Sequence, residues 1–325
     1  MPTKKGRKSK AWIIFEELVR RLLITAGYRK FTGSPLGVRA AGAGLEFLGR
    51  GGWHQIDVPV EWPFQVPLSQ PIVSLVEAKF QQKTVGIDVI REAVAVLLDI
   101  SQNVFTAAGP LDEIVSAKQH IHYQYAVASA SGFSEEAIRF AFAHQIYLLD
   151  YSPFPFLRPY FEYLEKVRGS IPTASQDRFR ADIQEEFARG IQLPEGIFRP
   201  GDTIKSSVFG LLGDQYPVHF LGVDASADDL RRANDRLCRI HYENNLWSIS
   251  LDGRAILYFS LPLILVQLLL NKGDTWRDRV NMKLQFMDRI LLLLPEEIGF
   301  QRITIRLDQD WLRRYAEQRE HRDND

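Results

Sequence analysis

The chain has 325 residues, with 40 Lys and Arg balanced by 40 Asp and Glu, 46% apolar residues and 25% charged ones. That balance excludes a polycation, so any contact with nucleic acid has to come from local patches, and the length suits two domains rather than one. A single cysteine, Cys238, excludes a disulfide framework or a cysteine zinc site within the chain and fits a reducing, cytoplasmic setting.

Residues 1–10 form a basic arm. Lys4, Lys5, Arg7, Lys8 and Lys10 crowd into it. Such a run is either a solvated tail or an arm that lies along phosphates. Residues 11–28 read as an amphipathic helix, with Phe15, Val19, Leu22, Leu23 and Ala26 at helical spacing and Gly27 at the C-cap. At about 100° per residue, Glu16 falls on the border of the apolar face and Glu17 further out, toward solvent. The first apolar run thus carries two acids and no cleavage-site pattern, so no signal peptide is expected.

Residues 45–60 read as a hairpin turning through Arg50, Gly51 and Gly52, with Asp57 the one acid between Ile56 and Val58. Pro59, Pro63, Pro67 and Pro71 then mark a loop or an irregular edge. The run "SLVEAKF" at 74–80 is the expected central strand. Strand side chains alternate, so Val76, Ala78 and Phe80 should enter a core while Leu75, Glu77 and Lys79 face the other way. Glu77 and Lys79 are then neighbours, either solvated or aimed together at a reaction centre. A helix over 85–100, a strand over 123–131, a helix starting at the N-cap Ser134 and a short strand at 146–151 complete the first domain, 11–167.

Residues 168–206 are richer in Gly, Pro, Ser and Thr and read as a linker holding a short helix. A second α+β domain is expected over 207–325, with strands near 216–223, 246–251 and 303–307 and helices near 227–240, 262–270 and 279–294. The apolar run 255–270 is too short and too interrupted to span a membrane, and reads as a strand followed by a helix starting near Pro262. No membrane partner is expected.

Glu16, Asp57, Glu77 and Lys79 occur in the order and on the elements that metal-dependent phosphodiester hydrolysis requires. Two carboxylates can hold Mg2+, and a lysine beside them can stabilise transition-state charge. At this point the chain resembles the PD-(D/E)xK nucleases, closest to the Mrr-type restriction endonuclease branch. The likeness rests on "FEELVRRLL-x3-GY", "GRGGWHQIDV", "VEAKF" with "VGIDVIREAV", and "ASASGFSEEAIRFAFAHQIYLLD". It covers roughly residues 11–151, and departs from the branch at the turn holding Arg50 and Trp53 and in the proline-rich connection before Glu77.

The resemblance implies an α/β, restriction-endonuclease-like mixed sheet flanked by helices. It implies a catalytic set of Glu16, Asp57, Glu77 and Lys79, with Asp57 and Glu77 on Mg2+ and Mn2+ able to substitute. It also implies a DNA endonuclease of restriction or antiphage defence. The expected partners are DNA and either a second copy of the chain or a defence subunit. A subunit that binds nucleic acid or a partner without cutting is the alternative.

Lys83 and Arg91 are further candidates for phosphate contact. His120 and His122 share a spacing that zinc can use, but lack a third ligand nearby. The aromatic run 151–163 reads as packing rather than a base-stacking platform. No phosphate-binding loop is present, which argues against an ATPase.

Overall fold

The computed structural model describes residues 8–32, 37–41, 44–64, 70–102, 121–188, 204–271, 276–297 and 299–324. Lys4, Lys5, Arg7, His120 and Pro67 therefore lie outside the described residues. The chain divides into two compact units. The first spans 1–24, 28–152 and 158–191; the second takes 192–325 together with 25–27 and 153–157.

In the first unit, β1 (Lys8–Ser9) leads into α1 (Lys10–Thr25) and β2 (Arg29–Lys30). A three-stranded antiparallel sheet follows, made by β3 (Val38–Ala41), β4 (Gly44–Leu48) and β5 (Trp53–Ile56). The chain then enters a second sheet through β6 (Val58–Glu61), β7 (Ile72–Lys79), α2 (Ile87–Ser101), β8 (His122–Ser129), α3 (Glu135–Ala143) and β9 (Tyr147–Asp150). The five strands of that sheet run β2-β6-β7-β8-β9, with β7 in the centre. β6 is antiparallel to β7, whereas β7, β8 and β9 are parallel, so the unit is a mixed α/β fold.

The expected central strand is in place, but its two faces are not core and solvent. Leu75 is as fully buried as Val76 and Ala78. Val73 and Leu75 join a cluster with Ile90, Ala93, Tyr125 and Val127, on the side of α2 and α3. Against Ala78 lies α1, whose Trp12 indole donates to the Ala78 carbonyl at 2.9 Å. Parallel strands linked by helices are covered on both faces, so Glu77 and Lys79 emerge only where β7 ends. The helix α3 starts as its sequence indicates, with the Ser134 hydroxyl accepting from the Ala137 N–H at 3.2 Å.

Asp57 does not sit within one strand, as the hairpin reading expected. It is the bend at which the chain leaves the small sheet for the large one. The 168–206 stretch is also not all linker. After α4 (Arg158–Lys166) come β10 (Ser170–Ile171), which pairs with β1, and α5 (Gln176–Ala188), both in the first unit. Lys8 thus belongs to a paired strand rather than a free arm.

The second unit is built on a closed seven-stranded barrel, ordered β11-β12-β15-β14-β13-β17-β16. Its first elements are β11 (Ser206–Leu212), β12 (Tyr216–Gly222), α6 (Ala227–Arg232), β13 (Leu237–Glu243), β14 (Leu246–Leu251) and β15 (Arg254–Phe259). They are followed by α7 (Leu263–Asn271), α8 (Trp276–Met287), β16 (Arg289–Pro295), β17 (Phe300–Leu307) and α9 (Gln309–Asn324). Two of the expected helices end early, because 237–243 and 289–295 are barrel strands. The 255–270 run does split into strand and helix, and the Leu265 N–H donates to the Pro262 carbonyl at 2.9 Å. Among the described residues no helix is long and apolar enough to cross a membrane.

Two-residue loops close β13 onto β14 and β14 onto β15. Asn244 and Asn245 have φ of 50° and 65°, and Asp252 and Gly253 have 50° and 80°. Those left-handed pairs match the twist of a hairpin. Alternate residues such as Val208, Phe220, Trp247, Ile249, Phe259, Leu292 and Ile305 fill the barrel.

Gly210 is where this filling leaves no room. A Cβ there would stand 2.2 Å from the Leu291 carbonyl oxygen on β16. Backbone on a paired strand cannot withdraw. Gly210→Ala should therefore destabilise the second unit by about 1–3 kcal/mol, the usual cost of overpacking. Gly52→Ala, which meets nothing within 4 Å, should leave the melting curve unchanged. Equal thermal melts for the two variants would contradict this packing.

Candidate active site

The register of the central strands builds the site. β6 and β7 pair antiparallel, Val58 opposite Val76 and Pro59 opposite Leu75. Asp57 immediately precedes the first of these pairs, so the bend stands beside the Glu77–Lys79 end of β7. Asp57 Oδ2 accepts the Ala78 N–H at 3.0 Å, which anchors the carboxylate between Glu77 and Lys79. Lys79 Nζ donates to Glu77 Oε1 at 2.6 Å, and the Tyr125 hydroxyl on β8 donates to Glu77 Oε2 at 3.4 Å. The sequence-expected Asp57, Glu77 and Lys79 are thus brought together, with Tyr125 added.

The electrostatics of this cluster are those of crowded acids. Burial pushes the Asp57 carboxyl up to about 8, and the Glu77 and Glu16 charges add to it, against the opposing pull of the Ala78 N–H and Lys79. Burial lowers the Lys79 pKa, but Glu77 and Asp57 more than offset it, so the net shift is upward and Lys79 is an ammonium at neutral pH. Tyr125 is raised by burial and by Glu77, which keeps it a phenol.

Glu16 and Glu17 depart from the sequence reading. Both are buried, at 1% and 2% exposed, and Glu17 does not face solvent. The side that should have been solvated is covered by α5, whose Arg180 pairs with Glu16 and, at 2.5 Å, with Glu17 Oε1. Gln184 donates to Glu17 Oε2 at 3.1 Å. Arg20 Nε also reaches Glu17 Oε2 at 3.1 Å, while its Nη2 donates to the Asp57 carbonyl at 2.9 Å. Sequence reasoning missed Arg20, Arg180 and Tyr125. Arg20 lies one turn from Glu16 and Glu17, which was a usable signal. Arg180 had none, because it is far away in the chain.

The remaining expected contacts lie elsewhere. Lys83 is exposed, and its carbonyl accepts from Ser131 Oγ at 2.7 Å. Arg91 is exposed on α2, paired with Asp88 at 3.2 Å. Lys10 begins α1, and its N–H donates to the Gly169 carbonyl at 2.8 Å. His54 meets Asp99 of α2 at 2.7 Å. Asp99 also accepts the Gly51 N–H, clasping the hairpin turn to that helix.

Among the described residues, no three or more His, Cys, Asp or Glu are grouped so as to hold a metal ion. What the site offers is a pair, Asp57 and Glu77, in which burial and the Glu77 charge favour a proton on Asp57; a divalent cation would offset both and displace that proton. That fits an ion that keeps most of its waters, such as Mg2+, better than one that needs a full protein cage.

No family model and no curated protein matches this chain. The crystal structure of a protein of unknown function, AF1548, aligns with 55% of this chain and 100% of its own at 14% identity, with a TM-score of 0.29. A likeness that slight carries no argument about fold or function.

The raised Asp57 pKa makes stability depend on pH. Folded, this carboxyl holds its proton up to about pH 8; unfolded, it loses it near the ordinary carboxylate value of about 4. Unfolding therefore releases a proton between those values, and the fold weakens as pH rises through them. In EDTA, Asp57→Asn should raise the melting temperature, by a margin that grows from pH 5 to pH 8 and then levels off. A margin independent of pH would show that Asp57 is not held protonated.

Proposed function

We propose that the first unit is a divalent-metal-dependent DNA endonuclease of the PD-(D/E)xK kind, nearest the Mrr-type branch, acting in restriction or antiphage defence. The observation that carries this reading is the convergence of Asp57, Glu77 and Lys79 where the bend after β5 meets the end of β7. The five-stranded mixed sheet, with α1 on one face and α2 and α3 on the other, is consistent with a restriction-endonuclease-like core.

In this reading Asp57 and Glu77 would hold Mg2+, which supplies an activated water and polarises the phosphate. The chain's own residues do the rest. Asp57 is fixed by the Ala78 N–H, so its free oxygen has a set direction. Tyr125 and Lys79 grip the two oxygens of Glu77 and fix its plane. Lys79 remains charged, which suits it to stabilise charge on the phosphate rather than to abstract a proton.

A second reading has one observation in its favour. The acids are already matched by cations within the unit, Glu77 by Lys79 and Glu16 and Glu17 by Arg180. A non-cleaving subunit that binds nucleic acid or a partner would tolerate such self-neutralisation.

The two readings separate on plasmid, linear and single-stranded DNA and on RNA, each with Mg2+, Mn2+ or EDTA. Under the nuclease reading, DNA is cut with metal and not with EDTA. Asp57→Ala and Glu77→Ala should abolish cutting. Lys79→Ala should keep metal binding but lose about 10²–10³-fold in rate, as expected for a lost transition-state contact. Cleavage that persists in the Asp57 or Glu77 variant would sink the site assignment. A wild-type chain that binds DNA and never cuts would establish the second reading.

A further inference from the structure

The contacts of α5 lead from a stretch that composition marks as linker to the backbone of Asp57. Arg180 is 9% exposed, so its charge is largely removed from water. Its two terminal nitrogens divide between the neighbouring carboxylates, Nη2 on Glu16 and Nη1 on Glu17. Glu17 passes the restraint on, since its Oε2 accepts from Arg20 Nε at 3.1 Å. The other end of Arg20 donates to the Asp57 carbonyl at 2.9 Å. That carbonyl belongs to the bend, outside the β6–β7 pairing, which begins at Val58. The side chain of Arg20 thus ties the bend to α1.

We infer that Arg180 and Arg20 are positioning residues for the Asp57 carboxylate and the Glu16 side chain, so that the site is complete only when α5 is docked. This rests on the nuclease reading above and extends it to Arg180, which lies beyond the 11–151 span of the likeness, and to Arg20 within it. Arginine suits the task in a way lysine does not. Its planar fork can hold two acceptors in fixed directions, whereas an ammonium is a point charge on a flexible stem. A guanidinium needed only to neutralise buried acids could be replaced by lysine without loss. One needed to hold two carboxylates in register could not.

The full-length chain and its Arg180→Lys, Arg180→Met and Arg178→Met variants decide the matter; Arg178 is exposed on the same helix. Four quantities are read: the thermal melt, Mn2+ affinity by electron paramagnetic resonance, DNA affinity in EDTA by fluorescence anisotropy, and kcat and KM for cleavage. Arg180→Lys should melt near wild type, bind DNA within twofold, bind Mn2+ about 10-fold more weakly, and lose kcat with KM unchanged, as when a residue supporting a metal ligand is altered. Arg180→Met should add a lower melting temperature, and Arg178→Met should match wild type throughout. Wild-type Mn2+ affinity and kcat in Arg180→Lys, in a wild-type chain that does bind Mn2+ and cut, would overturn the positioning role and leave the nuclease reading standing. If the wild-type chain neither binds Mn2+ nor cuts, the nuclease reading fails and this inference fails with it. If Arg180→Met does not fold, Arg180→Lys and Glu17→Gln read the same quantities.

Discussion

Two adjacent glutamates can stay ionised when buried side by side on one helix only if cations stand against both. Removing a single partner from such a group leaves an uncompensated charge, at a cost of about 3–5 kcal/mol. Glu16 and Glu17 on α1 impose this condition, and Arg180 and Arg20 meet it. Much of the first unit follows from that requirement. It brings α5 against α1, gives the 176–188 segment a defined place, and fixes the bend at Asp57 through its carbonyl. The same arrangement keeps the Glu16 charge close enough to Asp57 to favour its protonated form.

Much of the first unit is legible in the sequence because local pattern and final environment agree there. The 85–100 helix, the Ser134 cap and the central strand lie close to where periodicity and capping put them. Asp57, Glu77 and Lys79 come together because Asp57 immediately precedes β6, which pairs with β7 from Val58 and Val76 onward. Glu17 was misread because a helical wheel assigns a face to solvent whenever it is polar. It cannot know that a helix more than 150 residues away will cover that face. The boundary read at 168–206 holds its helix and contains the division at 191–192, but composition gave no sign that the helix docks on α1 through Arg180 and Gln184.

The second unit was harder to read because leucine-rich runs satisfy either period. "RILLLLP" at 289–295 continues the helical pattern of the preceding residues, yet it pairs along its length with β17. What stops the helix is the barrel, which needs a strand between β11 and β17. A local clue did exist in Asp252-Gly253 and Asn244-Asn245, whose left-handed conformations mark tight hairpins. Those turns fix three consecutive barrel strands without any knowledge of the rest.

Closure of that barrel decides how copies of this chain could associate. A closed ring leaves no row of unpaired N–H and C=O groups for a foreign strand to extend. The open-edged sheets among the described residues belong to the first unit: β2 and β9 edge the large sheet, β3 and β5 the small one, and β1 and β10 make a two-stranded sheet of their own. Among the described residues, the sheets with open edges thus lie in the unit that carries the carboxylates. The second unit, by contrast, offers mainly the side chains of its helices and outward strand faces, where individual residues rather than backbone set the choice of partner.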